Sequence, residues 1–172
     1  MIVLYHGTTL RLEQPLACVG REDLDFGKGF YLTRLRDQAE RWAVRVQLIR
    51  LSSDAWINTY EFDLESALNA GAKMLGFEAY DRYWLDFIVA SRNGEKPWIG
   101  YDIIEGGVAD DRVIDTVEDY ISGNITVDQA LGKLRYTSPN NQICILNQSL
   151  IDTYLCFVDS ERLGDMQEGG LI

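Results

Sequence analysis

The sequence predicts an α+β domain built on a small split β-sheet with flanking helices. Strand-like segments stand at both ends of the 172-residue chain, and segments with helical periodicity lie between them. With 47% hydrophobic residues the chain can bury a core of its own, and no repeat of roughly 20–50 residues is visible. We therefore expect a single domain over residues 1–163, followed by a mobile tail over residues 164–172 that is rich in glycine.

Helical spacing predicts a first helix after residue 33. Five residues recur at steps of three and four and predict one buried face, namely Leu35, Ala39, Trp42, Val46 and Ile49. The hydroxyl of Thr33 is a candidate N-cap for this helix. The partly alternating segment from Trp56 to Phe62 then predicts a strand.

The second half of the chain predicts three further helices and three strands. One helix carries Trp84 and Phe87 as core residues and ends at Asn93 and Gly94. A strand at 101–104 runs into two glycines, a helix covers 113–121, and Thr126 with Gln129 forms a capping box for a short helix. Strands at 143–146 and 154–158 follow, bridged by a single helical turn within 147–152.

The charge balance bears on possible partners. The chain has 16 basic and 27 acidic residues and a net charge of −11, which disfavours nonspecific binding to nucleic acid. A nucleic acid substrate would need a local patch such as Arg34, Arg36, Arg41 and Arg45. A solvated helix face is the simpler interpretation of these arginines.

The cysteines and the apolar segments bear on compartment and metal binding. Three cysteines without CxxC spacing support neither a disulfide framework nor a zinc site, so we expect no metal, and Cys144 and Cys156 are expected in the core. We see no signal peptide and no apolar run of about 18 residues that would span a membrane. A cytoplasmic protein without a membrane partner is the expectation.

Two short segments carry the candidate chemistry. His6, the only histidine, ends an apolar run and is followed by Gly7 and Thr8. Glycine allows close approach of the backbone, so the N–H and C=O of Gly7 could pair with a carboxamide. The imidazole of His6 can bond a ribose hydroxyl without carrying charge at neutral pH. Tyr31, in the segment from Phe26 to Thr33, offers a rigid aromatic face for a flat ligand.

His6-Gly7-Thr8 and Gly27-Lys28-Gly29-Phe30-Tyr31, in this order, resemble motifs of the ADP-ribosyltransferase superfamily, on its diphtheria-toxin and poly(ADP-ribose) polymerase side. In that branch three strands each deliver one residue to an NAD pocket: His, then Tyr, then usually Glu. The order also resembles an uncharacterised bacterial family of the superfamily. The resemblance implies a domain of that fold and contacts to NAD from seven residues: His6, Gly7, Thr8, Phe26, Gly27, Gly29 and Tyr31.

The third position of the resemblance departs from the pattern. The polar stretch 138–141 leads into an apolar run, which places Gln142 where the family has Glu. The resemblance thus implies an NAD-dependent mono-ADP-ribosyltransferase with His6, Tyr31 and Gln142 as catalytic residues and a macromolecular acceptor. An amide supplies neither a base nor a negative charge. By analogy with other preorganised sites, such a loss costs about 10²–10³ in rate, so chain elongation is not expected.

Other assignments stay open at this point. Five acidic residues could replace Gln142 as the carboxylate, namely Glu105, Asp110, Asp111, Asp159 and Glu161. The fold could instead serve as a catalytically weak or inactive module that binds NAD or a partner. The resemblance also allows a toxin held by a neutralising protein. A Walker phosphate loop and a dinucleotide-binding GxGxxG unit are both absent from the sequence.

Overall fold

A computed structural model describes residues 1–21, 24–109, 113–137 and 140–164. Within these residues there are seven strands: Ile2–Thr8 (β1), Phe30–Leu32 (β2), Ala55–Phe62 (β3), Met74–Gly76 (β4), Ile103–Gly107 (β5), Asn141–Ile145 (β6) and Leu155–Leu163 (β7). The helices are Arg36–Arg50 (α1), Leu64–Asn69 (α2), Arg82–Arg92 (α3), Ile114–Ile121 (α4), Val127–Leu134 (α5) and Gln148–Tyr154 (α6), with a 3₁₀ turn at Ala17–Val19.

The strands form two sheets. One has the order β1-β3-β7 and is antiparallel throughout, and the other has the order β2-β6-β5-β4 with a single parallel pair, β4 and β5. In the described residues a single antiparallel bridge joins the sheets, in which Tyr5 and Thr33 exchange both backbone hydrogen bonds, at 2.8 and 3.0 Å. The two sheets are thus separate except at this contact between β1 and the end of β2.

Two apolar clusters hold the layers together. One lies between the sheets and combines inward residues of β1, β2, β3, β5 and β6 with residues of α2 and α6. The other packs α3, α4 and α5 against the opposite face of the four-stranded sheet. Helix α1 covers the outer face of β1, where an added Cβ on Gly7 would meet the backbone of Ala39 and Ala43.

The predicted α+β class is confirmed, and several elements match their sequence signals. The strand predicted from Trp56 is β3, and Trp84 and Phe87 are buried core residues of α3. Thr126 and Gln129 form the predicted capping box of α5 in both directions. Helix α3 ends at Asn93, and Gly94 follows with φ of 81°, the left-handed conformation common after a helix.

The predicted buried face of α1 is wrong except for Ala39. The buried residues of this helix are Gln38, Ala39 and Ala43, whereas Trp42 is 48% exposed and Ile49 is 69% exposed. The reason is Gly7, because its missing side chain lets the helix backbone approach β1 so closely that only small residues fit between them. Thr33 is not the N-cap either, since Leu35 occupies that position without a side-chain bond.

Other differences concern short elements and one edge strand. Helix α2 and strand β4 were not predicted, and α6 is longer than the expected single turn. Cys144 is buried as expected, but Cys156 is exposed because it points away from the core on β7, between Leu155 and Phe157, which pack against that core. The expected mobile tail lies outside the described residues except for Gly164.

Candidate functional site

The ring of His6 interrupts the pairing between β1 and β2. Because Tyr5 faces Thr33 in an antiparallel bridge, a continued ladder would place Gly7 opposite Tyr31. Instead, Nδ1 of His6 lies 2.8 Å from the carbonyl oxygen of Tyr31, and the imidazole lies against the ring of Phe30 with centroids 4.6 Å apart. A side chain thus occupies the bonding position that the Gly7 N–H would take.

The backbone of Gly7, a buried residue, therefore faces the gap in which the pairing of β1 with β2 stops, and we call this gap the opening. In an antiparallel strand the N–H and C=O of a residue point to one side and alternate along the chain, so those of Gly7 point the same way as those of Tyr5. The pairing of Gly7 with Ile57 on β3 is accordingly of the non-hydrogen-bonded kind. Thr8 ends the strand as a buried residue opposite Trp56. Among the described residues no backbone partner is recorded for the N–H and C=O of Gly7, so a donor and an acceptor lie side by side at the end of β1.

The hydroxyl of Tyr31 is bound to the preceding loop. It accepts from the N–H of Phe26 at 3.1 Å and donates to the carbonyl of Gly27 at 2.7 Å. The rings of Phe26 and Tyr31 are nearly parallel, at 7°, with centroids 6.4 Å apart. Burial, with Cys144 adjacent, raises the pKa of Tyr31 well above its ordinary value. Tyr31 stays protonated and rigidly placed.

Two glycines let the loop before β2 fold against the core. Gly27 has φ of 84°, and an added Cβ would lie 2.3 Å from the ring of Trp98; at Gly29 it would lie 2.5 Å from Sγ of Cys144. The same loop is held from the other side by Asp25, whose carboxylate accepts from Arg92 at 2.8 and 3.0 Å and from the N–H of Ala109 at 2.8 Å. The predicted glycine motif is thus required by close packing.

Gln142 lies on the same face of the sheet as Tyr31. Tyr31 pairs with Cys144, and side chains two residues apart on a strand share a face, so Gln142 and Tyr31 point the same way. Thr33, whose hydroxyl lies 3.3 Å from the carbonyl of Asn141, shares this face as well. Two strand spacings, roughly 10 Å, separate Gln142 from β1. Helix α1 lies over this face of the sheet, since the side chain of Tyr5, which is on the same face, points toward the helix.

Two residues of α1, Gln38 and Trp42, were not predicted as site residues and lie on the helix that packs on Gly7. Gln38 is 5% exposed, and its Oε1 accepts from the hydroxyl of Thr33 at 2.9 Å. Trp42 lies one turn after Gln38 on α1, rotated by about 40° around the helix axis. It therefore projects between the direction of Gln38 and that of Ala39, which contacts β1. Its exposed indole thus lies on the helix that packs on Gly7 through Ala39 and Ala43. Helical periodicity gave no signal for it, because an apolar residue at this spacing is read as core.

A third missed residue supports the loop next to His6. Asn58 pairs with His6 across β1 and β3 and is fully buried. Its amide accepts from the N–H of Leu12 at 2.8 Å and donates to the carbonyl of Leu10 at 3.1 Å. The hydroxyl of Tyr60 also donates to the carbonyl of Leu12, at 2.5 Å. The segment after β1 is thus fixed beside the imidazole.

The imidazole of His6 is kept neutral by its surroundings. Burial lowers the pKa of His6 below its ordinary value, the hydrogen bond to the Tyr31 carbonyl opposes this shift, and the nearby charge of Arg50 adds to it. Nδ1 donates to the carbonyl of Tyr31 in the neutral tautomer that satisfies this contact. Nε2 then remains an acceptor, suited to a hydroxyl donor.

Of the alternative carboxylates that the structure describes, none shares a face of a β-sheet with Tyr31. Glu105 pairs with Ile143, on the opposite face from Gln142, and binds Arg34 with contacts of 3.1 and 3.4 Å. Asp159 and Glu161 lie on β7, and Glu161 accepts from Arg36 at 2.7 Å. Asp110 and Asp111 lie outside the described residues. Among the described candidates, Gln142 is thus the one that shares a face with Tyr31.

Two grooves lie apart from His6 and Tyr31. One of about 560 Å³ is formed by residues 79–82 and 131–137, and one of about 310 Å³ by Tyr5 and the start of α1. The second is lined by Arg34, Arg36 and Arg41, of which Arg34 and Arg36 are engaged in ion pairs. Neither groove contains a predicted NAD-binding residue, whereas His6, Gly7 and Tyr31 meet where the pairing of β1 with β2 stops.

The described part of the chain contains neither a metal-binding cluster nor a membrane-spanning helix. Within the described ranges, no group of three or more His, Cys, Asp or Glu residues could hold a metal ion. No helix in that part of the chain is both long enough and apolar enough to cross a membrane.

A family model described as a protein of unknown function, DUF3990, matches residues 2–157. The match covers most of the 172 residues, so the chain belongs to that family. No curated protein and no solved structure matches the chain.

Proposed function

We propose that this member of the DUF3990 family is an NAD-dependent mono-ADP-ribosyltransferase that acts on a macromolecular acceptor. The observation that carries the proposal is the bond from the His6 imidazole to the Tyr31 carbonyl. It interrupts the pairing of β1 with β2 and leaves the N–H and C=O of Gly7 directed at the gap between them, next to the strands that carry Tyr31 and Gln142. Such an arrangement offers a paired donor and acceptor beside aromatic faces.

The nicotinamide half of NAD fits these groups chemically. A carboxamide has one acceptor oxygen and an NH₂ donor, which match the N–H and C=O of Gly7. In this proposal the nicotinamide ring lies against the exposed indole of Trp42, which has the guanidinium of Arg45 5.7 Å from its centroid and belongs to the helix that packs on Gly7. Nε2 of the neutral His6 then accepts from a ribose hydroxyl, and the Gln142 amide contacts the same sugar.

The reaction requires little covalent chemistry from the protein. The bond between the ribose C1′ and the nicotinamide nitrogen breaks, and its electron pair neutralises the pyridinium. The sugar passes through an oxocarbenium-like transition state, an acceptor nucleophile forms a bond to C1′, and the acceptor loses a proton. Orientation by Gly7, His6 and Tyr31 supports this step, while the uncharged Gln142 stabilises the cationic sugar less than a carboxylate.

Labelled NAD tests the proposal directly. Purified protein is incubated with NAD carrying a label in the adenylate half, with and without cell lysate. Release of nicotinamide is measured, together with transfer of label to macromolecules. His6→Ala serves as the inactive variant, with its folding checked by circular dichroism. The proposal fails if wild-type protein neither binds NAD in calorimetry at millimolar concentration nor releases nicotinamide.

A second candidate is a binding module of the same fold without transferase activity, and Gln142 is the observation that favours it. Gln142→Glu distinguishes the two functions. An enzyme limited by its missing charge gains about 10²–10³ in rate from the carboxylate, with NAD affinity nearly unchanged. If NAD binds but neither wild type nor Gln142→Glu releases nicotinamide, the binding module is the better description.

A further inference from the structure

The side chain of Gln38 has an unusual environment for a polar residue. It is 5% exposed, and its Oε1 accepts from the hydroxyl of Thr33 at 2.9 Å. Its Nε2 is fully buried and has no hydrogen-bond partner among the described residues. A buried donor without a partner costs about 1–3 kcal/mol, and most such groups in native proteins are satisfied. This amide therefore requires an explanation.

The position of Gln38 shows that a purely architectural role does not explain its unpartnered amide nitrogen. Thr33 does not need the amide, because its hydroxyl also lies 3.3 Å from the carbonyl of Asn141 and accepts from the N–H of Leu35 at 3.1 Å. Ala39, the next residue of α1, already provides the close contact with β1. An apolar side chain at position 38 would fill the space without leaving a donor unsatisfied.

The surroundings of Gln38 point to the candidate site. Thr33, to which the amide is bound, lies between the Tyr5 bridge on one side and the start of β6 on the other. The amide is thus enclosed by α1, the end of β2 and the strand that carries Gln142. Trp42 follows on the same flank of the helix. One end of the amide is anchored, and its other end carries the unsatisfied donor.

We infer that Gln38 is a further ligand-binding residue, whose Nε2 donates a hydrogen bond to an acceptor oxygen of the nicotinamide–ribose half of NAD. The inference rests on the proposed function and extends it to a residue of α1. Thr33 holds the amide in place before the ligand arrives, so little side-chain freedom is lost on binding. Gln38 then contributes to affinity and orientation while doing little for the stability of the free protein.

Gln38→Met tests this, because methionine has a similar length and no hydrogen-bonding amide. NAD affinity is measured by calorimetry, and the melting temperature is measured without ligand. We expect the Kd for NAD to rise about tenfold, the effect of one lost hydrogen bond, with a melting temperature that is unchanged or higher. Gln47→Met is the matched control, since Gln47 lies on the same helix and its Nε2 donates to the carbonyl of Ser53 at 3.2 Å.

The outcomes separate this inference from the function on which it rests. If wild type binds NAD and Gln38→Met binds it equally well, Gln38 is not a ligand contact and the inference is wrong. If wild type does not bind NAD at all, both the inference about Gln38 and the proposed function are wrong. Should Gln38→Met fail to fold, Gln38→Glu keeps the acceptor for Thr33 and, when ionised, cannot donate. At pH 8 that variant must also weaken NAD binding, or the inference fails.

Discussion

At Tyr31 the hydroxyl and the ring have separate partners. The hydroxyl exchanges hydrogen bonds with the backbone of Phe26 and Gly27, whereas the ring lies on the face of β2 that it shares with Gln142. In the proposed site the ligand therefore contacts the ring and not the hydroxyl. The two contributions can be separated by substitution.

Tyr31→Phe should lower the free energy of unfolding by about 1–3 kcal/mol, because it leaves the Gly27 carbonyl and the Phe26 N–H without their partner. It should retain most of the NAD affinity. Tyr31→Ala should lose a further 1–3 kcal/mol of binding, roughly the value of one stacked aromatic. Urea denaturation and calorimetry measure the two effects. Tyr136→Phe, at an 88% exposed position, is the near-neutral control; equal loss of NAD affinity in Tyr31→Phe and Tyr31→Ala would contradict the stacking hypothesis.

His6 should make stability depend on pH. Its folded-state pKa is lowered from the ordinary value of 6.5, so the unfolded chain binds a proton first as the pH falls. The contribution of neutral His6 is thus complete above about pH 6.5 and is lost below it, by up to about 1.4 kcal/mol per pH unit until the folded value is reached. Denaturation of wild type and His6→Gln from pH 8 to pH 5 measures it. A stability difference between the two proteins that does not change below pH 6.5 would contradict this.

At the scale of elements, Gly7 determines how α1 packs on β1. A Cβ at this position would lie 2.0 Å from the carbonyl oxygen of Ala39 and 2.8 Å from the backbone nitrogen of Ala43. Both atoms belong to the helix backbone and cannot move independently of the helix. A single methyl group would therefore displace the whole of α1.

Gly7→Ala should destabilise the protein by at least about 2 kcal/mol, in the range of overpacking in a dense core. Gly132→Ala is the matched control, because Gly132 lies inside helix α5 with nothing near the added Cβ. That change should stabilise by about 0.5–1 kcal/mol through helix propensity. Chemical denaturation of both variants gives the comparison. Similar stabilities for the two would mean that α1 can shift away from β1 at little cost.

The same packing explains what the sequence could and could not predict at this scale. Capping residues and apolar spacing located α3 and α5, since those signals act within a few residues. The face of α1 was mispredicted because Gly7, some 30 positions earlier, selects small residues for the contact. The apolar residues that follow Gln142 predicted that it begins a strand. Only the pairing of β6 with β2 shows that it shares a face with Tyr31.

At the scale of the whole molecule, Asp25 connects three distant parts of the chain. Its carboxylate joins the glycine loop to Arg92 at the end of α3 and to the N–H of Ala109 after β5. The Asp25 side chain is 9% exposed and that of Arg92 is 25% exposed. The pair is thus largely removed from water, and its loss leaves a partly buried charge without its partner.

Asp25→Ala should lower the free energy of unfolding by about 2–4 kcal/mol, less than for a fully buried pair because Arg92 retains some contact with water. Asp86→Ala removes an exposed i,i+4 partner of Arg82 and should cost no more than about 0.5 kcal/mol. Thermal and urea denaturation of the two variants provide the test. Equal costs would mean that the Asp25 contacts are as weakly stabilising as a surface pair.

The His6 imidazole replaces one backbone hydrogen bond between β1 and β2, and this has a consequence for which ligands compete at Gly7. The open position beside Gly7 has the hydrogen-bonding complement of a peptide group, so an extended polypeptide could occupy it by adding a strand to the free part of β1. A primary carboxamide is chemically a fragment of such a peptide. Any macromolecule that inserts its main chain there would therefore exclude a small carboxamide ligand, because both use the same donor and acceptor of Gly7. It would do so without contacting a single side chain of the site.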